Sequence, residues 1–337
     1  IFYVTLFVFF QKPYHKHFAV FLWILVKCPF VFSQNITKEK GLTTLVYETP
    51  AAFVTAYLPD DIEVGDRISG SFSVLNKGFS AEQLQQSLQL IRKYTFYFSN
   101  AKDQTRIMQR MVNVQPEKLV NFLPIKITSS FIFTFEEFPG KSYSKEFVPS
   151  GDPILPVSDC ISPLHVLLGS PLRLIGTFDG VASNTRVSIG NTILKIMAES
   201  PRQCIVEVPI NLPISENMEI KVTEDFIPKC SFPVKPVKMT VGYEKVYLRK
   251  GEISQITVLI SGLKGIANKS QLIIENQNPN IVSITGGNQQ KIDITPAMTK
   301  NETFYKLNLE AQGINTGEYS VNFKLHLYED FPDVMEK

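Results

Sequence analysis

The chain has 337 residues, 44% of them hydrophobic, 11% aromatic and 20% charged, with 34 Lys and Arg against 32 Asp and Glu. That length allows two or three domains, since single cores stop growing at roughly 250–300 residues. The apolar content is ample for packed cores and the charge is nearly balanced, which excludes a disordered chain, a collagen-like fibre and a basic nucleic-acid-binding protein.

Residues 1–34 stand apart from the fold. Lys12, His15, Lys16 and His17 form a positive stretch, residues 18–26 (FAVFLWILV) are an unbroken apolar run, and Phe32-Ser33-Gln34 offers a polar, fairly small exit. This is the layout of a secretory signal peptide with cleavage near Ser33 or Gln34. A membrane span needs about 20 apolar residues, and Lys27 and Pro29 interrupt this run. A lipoprotein signal would want a small residue before Cys28, where Lys27 stands. Residues 1–11 (IFYVTLFVFFQ) read as an upstream stretch before the signal. The segment carries three Lys and no acid, so 34 less 3 leaves 31 basic against 32 acidic residues. With no charge excess there is no electrostatic case for nucleic acid or an anionic membrane surface, and the bilayer is expected to matter only during export.

Beyond the signal the dominant pattern is short apolar stretches of period two, bounded by Gly, Pro, Asn and Asp. Phe53, Thr55 and Tyr57 read as a strand, Pro59-Asp60-Asp61 as a turn, and residues 67–75 (RISGSFSVL) as the next strand. Residues 80–92 have helical character: Ser80 is a good N-cap, Gln83 completes a capping box, and Leu84, Leu88 and Ile91 share a face. Residues 94–98, 106–114 and 126–135 return to strand character. The stretch 148–163 (VPSGDPILPVSDCISP) reads as a rigid linker, and 227–236 (IPKCSFPVKP) as a second one. Between them, 172–175, 185–189, 192–197 and 203–209 are spaced for hairpins. After Pro236, seven strands are expected at 246–248, 254–260, 271–275, 282–285, 290–295, 303–309 and 317–328, the count of an immunoglobulin-like sandwich.

The fold class expected is therefore all-β: tandem immunoglobulin-like β-sandwich domains with one short helical insertion in the first. The domains are placed at 44–150, 152–232 and 236–330 after the signal peptide and upstream stretch at 1–34.

The middle block carries a resemblance. Gly169-Ser-Pro-Leu-Arg-Leu-Ile-Gly-Thr-Phe-Asp-Gly, then Asn184-Thr-Arg-Val-Ser-Ile-Gly-Asn, then Ser200-Pro-Arg-Gln-Cys-Ile-Val-Glu-Val-Pro is similar to an IPT/TIG-type immunoglobulin-like domain at about 160–235. In this reading Gly176 and Gly190 supply positive φ and the alternation packs one face of a sandwich. The third block, with Leu248-Arg-Lys-Gly-Glu and Asn315-Thr-Gly-Glu-Tyr-Ser-Val, resembles tandem Ig-like domains of bacterial secreted and surface proteins. The resemblance implies an interaction or spacer module, and a fold does not settle a function.

Catalytic chemistry finds few residues to use. After the signal only His165 and His326 remain, and each reads as a packed or solvated strand residue. The chain has no Gly-x-Ser-x-Gly elbow, no phosphate-cradling loop and no His-Glu-x-x-His. Cys160, Cys204 and Cys230 are too far apart in sequence for a zinc ligand pair. The doublets Asp60-Asp61, Glu136-Glu137, Glu224-Asp225 and Glu329-Asp330 read as turn and surface acids. Asp179-Gly180 with Asn184 is too sparse for a calcium loop and reads as a hairpin loop. Tyr143 and Phe147, or Tyr243 and Tyr247, fit either a sugar- or peptide-binding stripe or ordinary cross-strand pairs.

The expected function is that of a secreted, periplasmic or cell-surface non-catalytic protein acting in adhesion, scaffolding or interaction, with a protein or glycan at the cell surface as partner. The alternative is an accessory or carbohydrate-binding component of an extracellular degradative system. No enzyme activity, catalytic residue, cofactor or metal is expected. Export implies an oxidising compartment, so two of the three cysteines are expected to pair. The options are Cys160 with Cys204, Cys160 with Cys230, Cys204 with Cys230, or three reduced thiols. Cys160 with Cys230 is favoured because these two flank the middle block.

Overall fold

The computed structural model describes residues 34–48, 52–76, 93–113, 119–122, 124–137, 141–149, 160–214, 218–245, 248–266, 268–300, 304–317 and 319–328. The expected signal segment up to residue 33, the expected helix at 80–92, the core of the expected linker at 150–159, Tyr247 and the Glu329-Asp330 doublet lie outside the described residues. The fold is nearly all β, with antiparallel sheets packed as Ig-like sandwiches. The chain divides into two compact units. The first takes the N-terminal part through residue 154 together with 179–182 and 197–201, and the second takes the remainder.

In the first unit, Gln34–Glu39, Leu42–Glu48, Ala52–Pro59, Ser71–Asn76 and Val120–Asn121 form a five-stranded sheet in that order. Lys141–Phe147, Phe131–Glu137, Lys93–Asn100 and Arg106–Asn113 form a four-stranded one. Alternation faces the two layers toward each other: Leu45, Tyr47, Val54, Ala56, Leu58 and Phe72 from one sheet meet Phe96, Phe98, Phe131, Phe133 and Phe135 from the other in a single core. Register sets the rings side by side, with Phe133 opposite Phe98 and Phe135 opposite Phe96. Across the layers Phe72 stacks on Phe96 with centroids 3.7 Å apart. Each buried ring of this kind stabilises by about 1.5–3 kcal/mol relative to exposure.

The first unit departs from the sequence pattern at two points. Val54, Ala56 and Leu58 are buried, whereas Phe53, Thr55 and Tyr57 are half-exposed. The expected strand 67–75 is broken at Gly70, where a Cβ would stand 2.4 Å from both the Phe122 ring and the Tyr57 carbonyl. Before the break Arg67–Ile68 pairs with Ile125–Lys126, and after it Ser71–Asn76 pairs with Ala52–Pro59. Residues 179–182 and 197–201 join this unit through Ser69: its backbone exchanges two 2.9 Å bonds with Glu199, and its hydroxyl donates to the Gly180 carbonyl at 2.9 Å. Gly180 has φ +73°, and its Cβ position lies 1.8 Å from the Arg67 carbonyl oxygen, so glycine alone fits.

The second unit is organised by one long strand. Ile227–Tyr243 pairs with Met218–Glu224 through residues 227–234, then with Ile253–Ser261 through 238–243. The sheet continues as Thr192–Ile193, Thr185–Ile189 and Met218–Glu224 on one flank, and Ile253–Ser261, Phe304–Gly313 and Val282–Ile284 on the other. Pro171–Ile175 pairs with Gln203–Glu207 in a second layer. Gln289–Ile294, Ser270–Asn276 and Val321–Leu327 form the second layer of the C-terminal sandwich, over a core of Ile256, Val258, Ile260, Leu272, Ile274 and Leu325.

The proline-rich stretch 227–236 is therefore a strand and not an irregular joint. Proline is tolerated in a ladder where its missing N–H is not required. Pro228 lies opposite Thr223, beside the irregularity between Val222 and Thr223. Pro236 lies opposite Val166 in a short parallel ladder that uses the Lys235 N–H and the Val237 carbonyl and bypasses the residue between them. Gly176 is also corrected. Its φ is not positive, and its requirement is space, since a Cβ there would lie 2.8 Å from the Cys160 Cα. Gly190 does have positive φ, +56°.

Candidate interaction site

The hairpin joining Met218–Glu224 to Ile227–Tyr243 closes Glu224 opposite Ile227, leaving Asp225 and Phe226 as a two-residue turn. Their φ values are +49° and +67°, the mirror-image turn that matches the right-handed strand twist. The base is tied down on several sides. The Asp225 N–H donates to the Asn184 carbonyl at 3.0 Å. The Lys229 ammonium pairs with the Glu224 carboxylate and lies 4.9 Å from the centre of the Phe178 ring. Cys230 is joined to Cys160 by a disulfide with Cα atoms 6.0 Å apart, while Cys204 is buried and takes no part in that bridge. Beyond this base, Phe226 is 93% exposed and Ile227 69% exposed. Lower on the hairpin Glu219 accepts from the Ser231 hydroxyl, which holds its carboxyl below the usual range, with Lys221 adding a smaller pull.

The residues weighed for chemistry are placed elsewhere. His165 is buried, with Nε2 3.4 Å from the Lys264 carbonyl, in the short strand His165–Leu167. His326 lies on the outward side of Val321–Leu327, its ring edge-on to Tyr328 with centroids 4.6 Å apart. Its cross-strand neighbour Gln271 donates to Asp293 at 2.9 Å, and Lys269 reaches the other oxygen of Asp293 at 3.2 Å. These bonds, Gln271 first, hold the Asp293 carboxyl below its usual range.

The carboxylate doublets are divided among separate partners. Asp61 accepts from the Ser200 hydroxyl at 2.9 Å. Glu136 accepts from the Tyr97 hydroxyl, whose pKa is pushed up by burial and then by this bond. Asp179 accepts from the Val181 N–H in a local turn, with the Glu199 carboxylate within 4.8 Å. Tyr143 and Phe147 pack against the first core, Phe147 stacking on Phe131 at 5.1 Å, so they form cross-strand pairs and not an open stripe.

Sequence reasoning named Glu224-Asp225 as turn and surface acids and passed over the residue that follows. The signal was present: an aromatic directly after two acids, between two alternating runs, with no Gly or Asn to make the turn.

No protein-family model matches the chain, and no curated protein matches it. Solved structures give distant likenesses. Escherichia coli alpha-2-macroglobulin activated by porcine elastase is 8% identical, over 87% of this chain and 33% of that one, with a TM-score of 0.21. Surface layer protein SbsC, domains 1–6, is 9% identical over 89% and 49%, with a TM-score of 0.18. Salmonella alpha-2-macroglobulin reacted with methylamine is 9% identical over 84% and 23%, with a TM-score of 0.16. The chain spans between about a quarter and a half of the length of these structures.

Proposed function

We propose that this chain is a secreted, periplasmic or cell-surface protein that works by binding and not by turnover, an adhesion or scaffolding array of three β-sandwiches at about 44–150, 152–232 and 236–330. The observation that carries the reading is the strand Ile227–Tyr243, whose residues belong to ladders of two successive sandwiches. A shared strand with a parallel clip at 165–167 holds the two as one body and presents their turns at fixed spacing. The Cys160–Cys230 disulfide fits an oxidising compartment, the environment an exported chain would meet. His165 is occupied with a loop carbonyl and His326 with Tyr328, an arrangement suited to structure more than to proton transfer.

The test pairs two assays on the purified chain. The expected result is saturable binding to the surface of the cells that make it, with no turnover of esterase, peptidase or glycosidase substrates. Turnover abolished by a single point substitution would overturn the reading. A second reading, glycan binding, is favoured by the outward row Asp293, Gln271, His326 and Tyr328, where a ring pair adjoins carboxylate and amide groups. A glycan array separates the two: on the second reading a sugar is retained and Tyr328→Ala releases it.

A further inference from the structure

The Asp225–Phe226 turn is where local energetics and sequence disagree most. Both residues sit in the left-handed region that Gly or Asn ordinarily fills in such turns, and a bulky aromatic there is a genuine outlier. The fold gives Phe226 little in return, for its ring is 93% exposed beside the exposed Ile227 and Pro228. Strain retained at an exposed apolar side chain points to a role outside the folded chain. The frame beneath is rigid: the Asn184 carbonyl, the Glu224–Lys229 pair and the disulfide at Cys230 all fix the turn within a few residues of the tip.

We infer that Phe226 and Ile227 form a preorganised knob that fills an apolar pocket, rimmed by basic groups, on a partner protein. This rests on the binding reading above and names its contact. An aromatic anchor on a stiff frame is the pattern of an interface hot spot, and stiffness lowers the ordering cost of association. The charge of the rim follows from the tip. Asp225 is exposed, and Glu224 is neutralised by Lys229, so the tip is net acidic and calls for Lys or Arg opposite. The same acid disfavours a bilayer, where interfacial apolar groups are accompanied by basic residues. A two-fold contact between copies through the tip would set Asp225 against itself.

The experiment places a photo-crosslinking p-benzoylphenylalanine at position 226 and, as control, at the exposed Ile210, in the full chain on its own cells. The protein captured at 226 is then purified and titrated with wild type, Phe226→Gly and Asp225→Lys. Expected are crosslinking at 226 over 210, an affinity loss of about 30-fold or more for Phe226→Gly, and about 10-fold for Asp225→Lys with wild-type affinity falling as salt rises. Phe226→Gly should raise Tm by about 2–4 °C, because glycine removes the strain. A partner bound equally well by Phe226→Gly, or crosslinking only at 210, overturns the inference and leaves the binding reading standing. No crosslinked protein at either position counts against both. Phe226-dependent sedimentation with phosphatidylcholine–phosphatidylglycerol vesicles, or Phe226-dependent dimers in sedimentation velocity, overturns it in favour of a bilayer or a second copy. A fall in Tm for Phe226→Gly overturns it by making the ring structural.

Discussion

The two units reach rigidity by different means. The first fills its sandwich with rings: Phe72, Phe96, Phe98, Phe131, Phe133 and Phe135 are buried to within a few per cent of completely and touch one another across both layers. In the second, the buried core of the C-terminal sandwich is, among the described residues, Ile, Leu, Val and Ala, with Tyr305, Tyr319 and Phe323 at its margin. Its continuity comes instead from backbone and covalent links: the strand Ile227–Tyr243, the parallel clip at 165–167 and the Cys160–Cys230 bridge. Side-chain volume secures one unit, and chain connectivity secures the other. The two should therefore fail under different substitutions.

The largest separation is expected from Phe133→Ala. Its ring contacts Phe96 and Phe98 at the centre of the first core, and removing such a ring costs about 3–5 kcal/mol. Hydrogen exchange read peptide by peptide should show protection lost across Phe131–Glu137 and Lys93–Asn100, with Ile253–Ser261 unchanged. Equal loss in both units would mean that they unfold as one, and the contrast would be gone.

Cys230→Ser is the reverse test. Opening a loop of 70 residues should cost about 4 kcal/mol in the chain-entropy model. The loss should appear in exchange at Thr185–Ile189 and Met218–Glu224 while the ring-filled core keeps its protection. A variant as stable as wild type would show that the shared strand alone secures the second unit.

The strand plan was legible wherever alternation was asymmetric. Residues 254–260 and 271–275 put most of their apolar side chains on one face, Ile256, Val258 and Ile260 in the first and Leu272 and Ile274 in the second, and the structure keeps both strands there. Where both faces are apolar, the strand was legible but its inward face was not. In Ala52–Pro59 the visible period was Phe53, Thr55 and Tyr57, but Val54, Ala56 and Leu58 turn inward against the Phe wall, a choice set by a sheet distant in sequence. Strands rich in polar residues or proline were missed for the same reason. Lys141–Phe147 and Ile227–Tyr243 are held by their ladder partners, and local composition carries no trace of those. The tip at Phe226 escaped because the turn was read from its acids and not from the aromatic that follows them.

Glycine positions sharpen the contrast at a smaller scale. Gly180→Ala forces a Cβ to 1.8 Å from the Arg67 carbonyl at φ +73°, and an expected loss of about 2–3 kcal/mol combines strain with a backbone clash. Gly190→Ala meets the same sign of φ, +56°, in open space, so about 1 kcal/mol is expected from strain alone. Equal losses in denaturant titrations would mean that the contact at Ser69 and Gly180 yields without cost.

The smallest effect concerns pH and lies in the second unit. Glu252 accepts from the Lys245 ammonium at 2.7 Å and from the Arg249 N–H at 2.9 Å. These bonds, Lys245 first, hold its carboxyl below the ordinary 4.5, and the same contact raises Lys245 above its ordinary 10.5. The signs differ. A lowered carboxyl binds fewer protons in the folded chain, so its contribution is present above pH about 4.5 and lost as pH falls through the folded value. A raised ammonium contributes fully below pH about 10.5 and loses that contribution as pH rises through its folded value. The pair thus supports the fold across the neutral range and releases it at both ends. Both groups face solvent, so water and salt screen them and the change is small. Thermal melts of wild type and Glu252→Gln between pH 6 and 3 should converge as the acid limb is descended. Parallel curves would place the acid sensitivity elsewhere, with Asp293, lowered mainly by Gln271, as the next group to substitute.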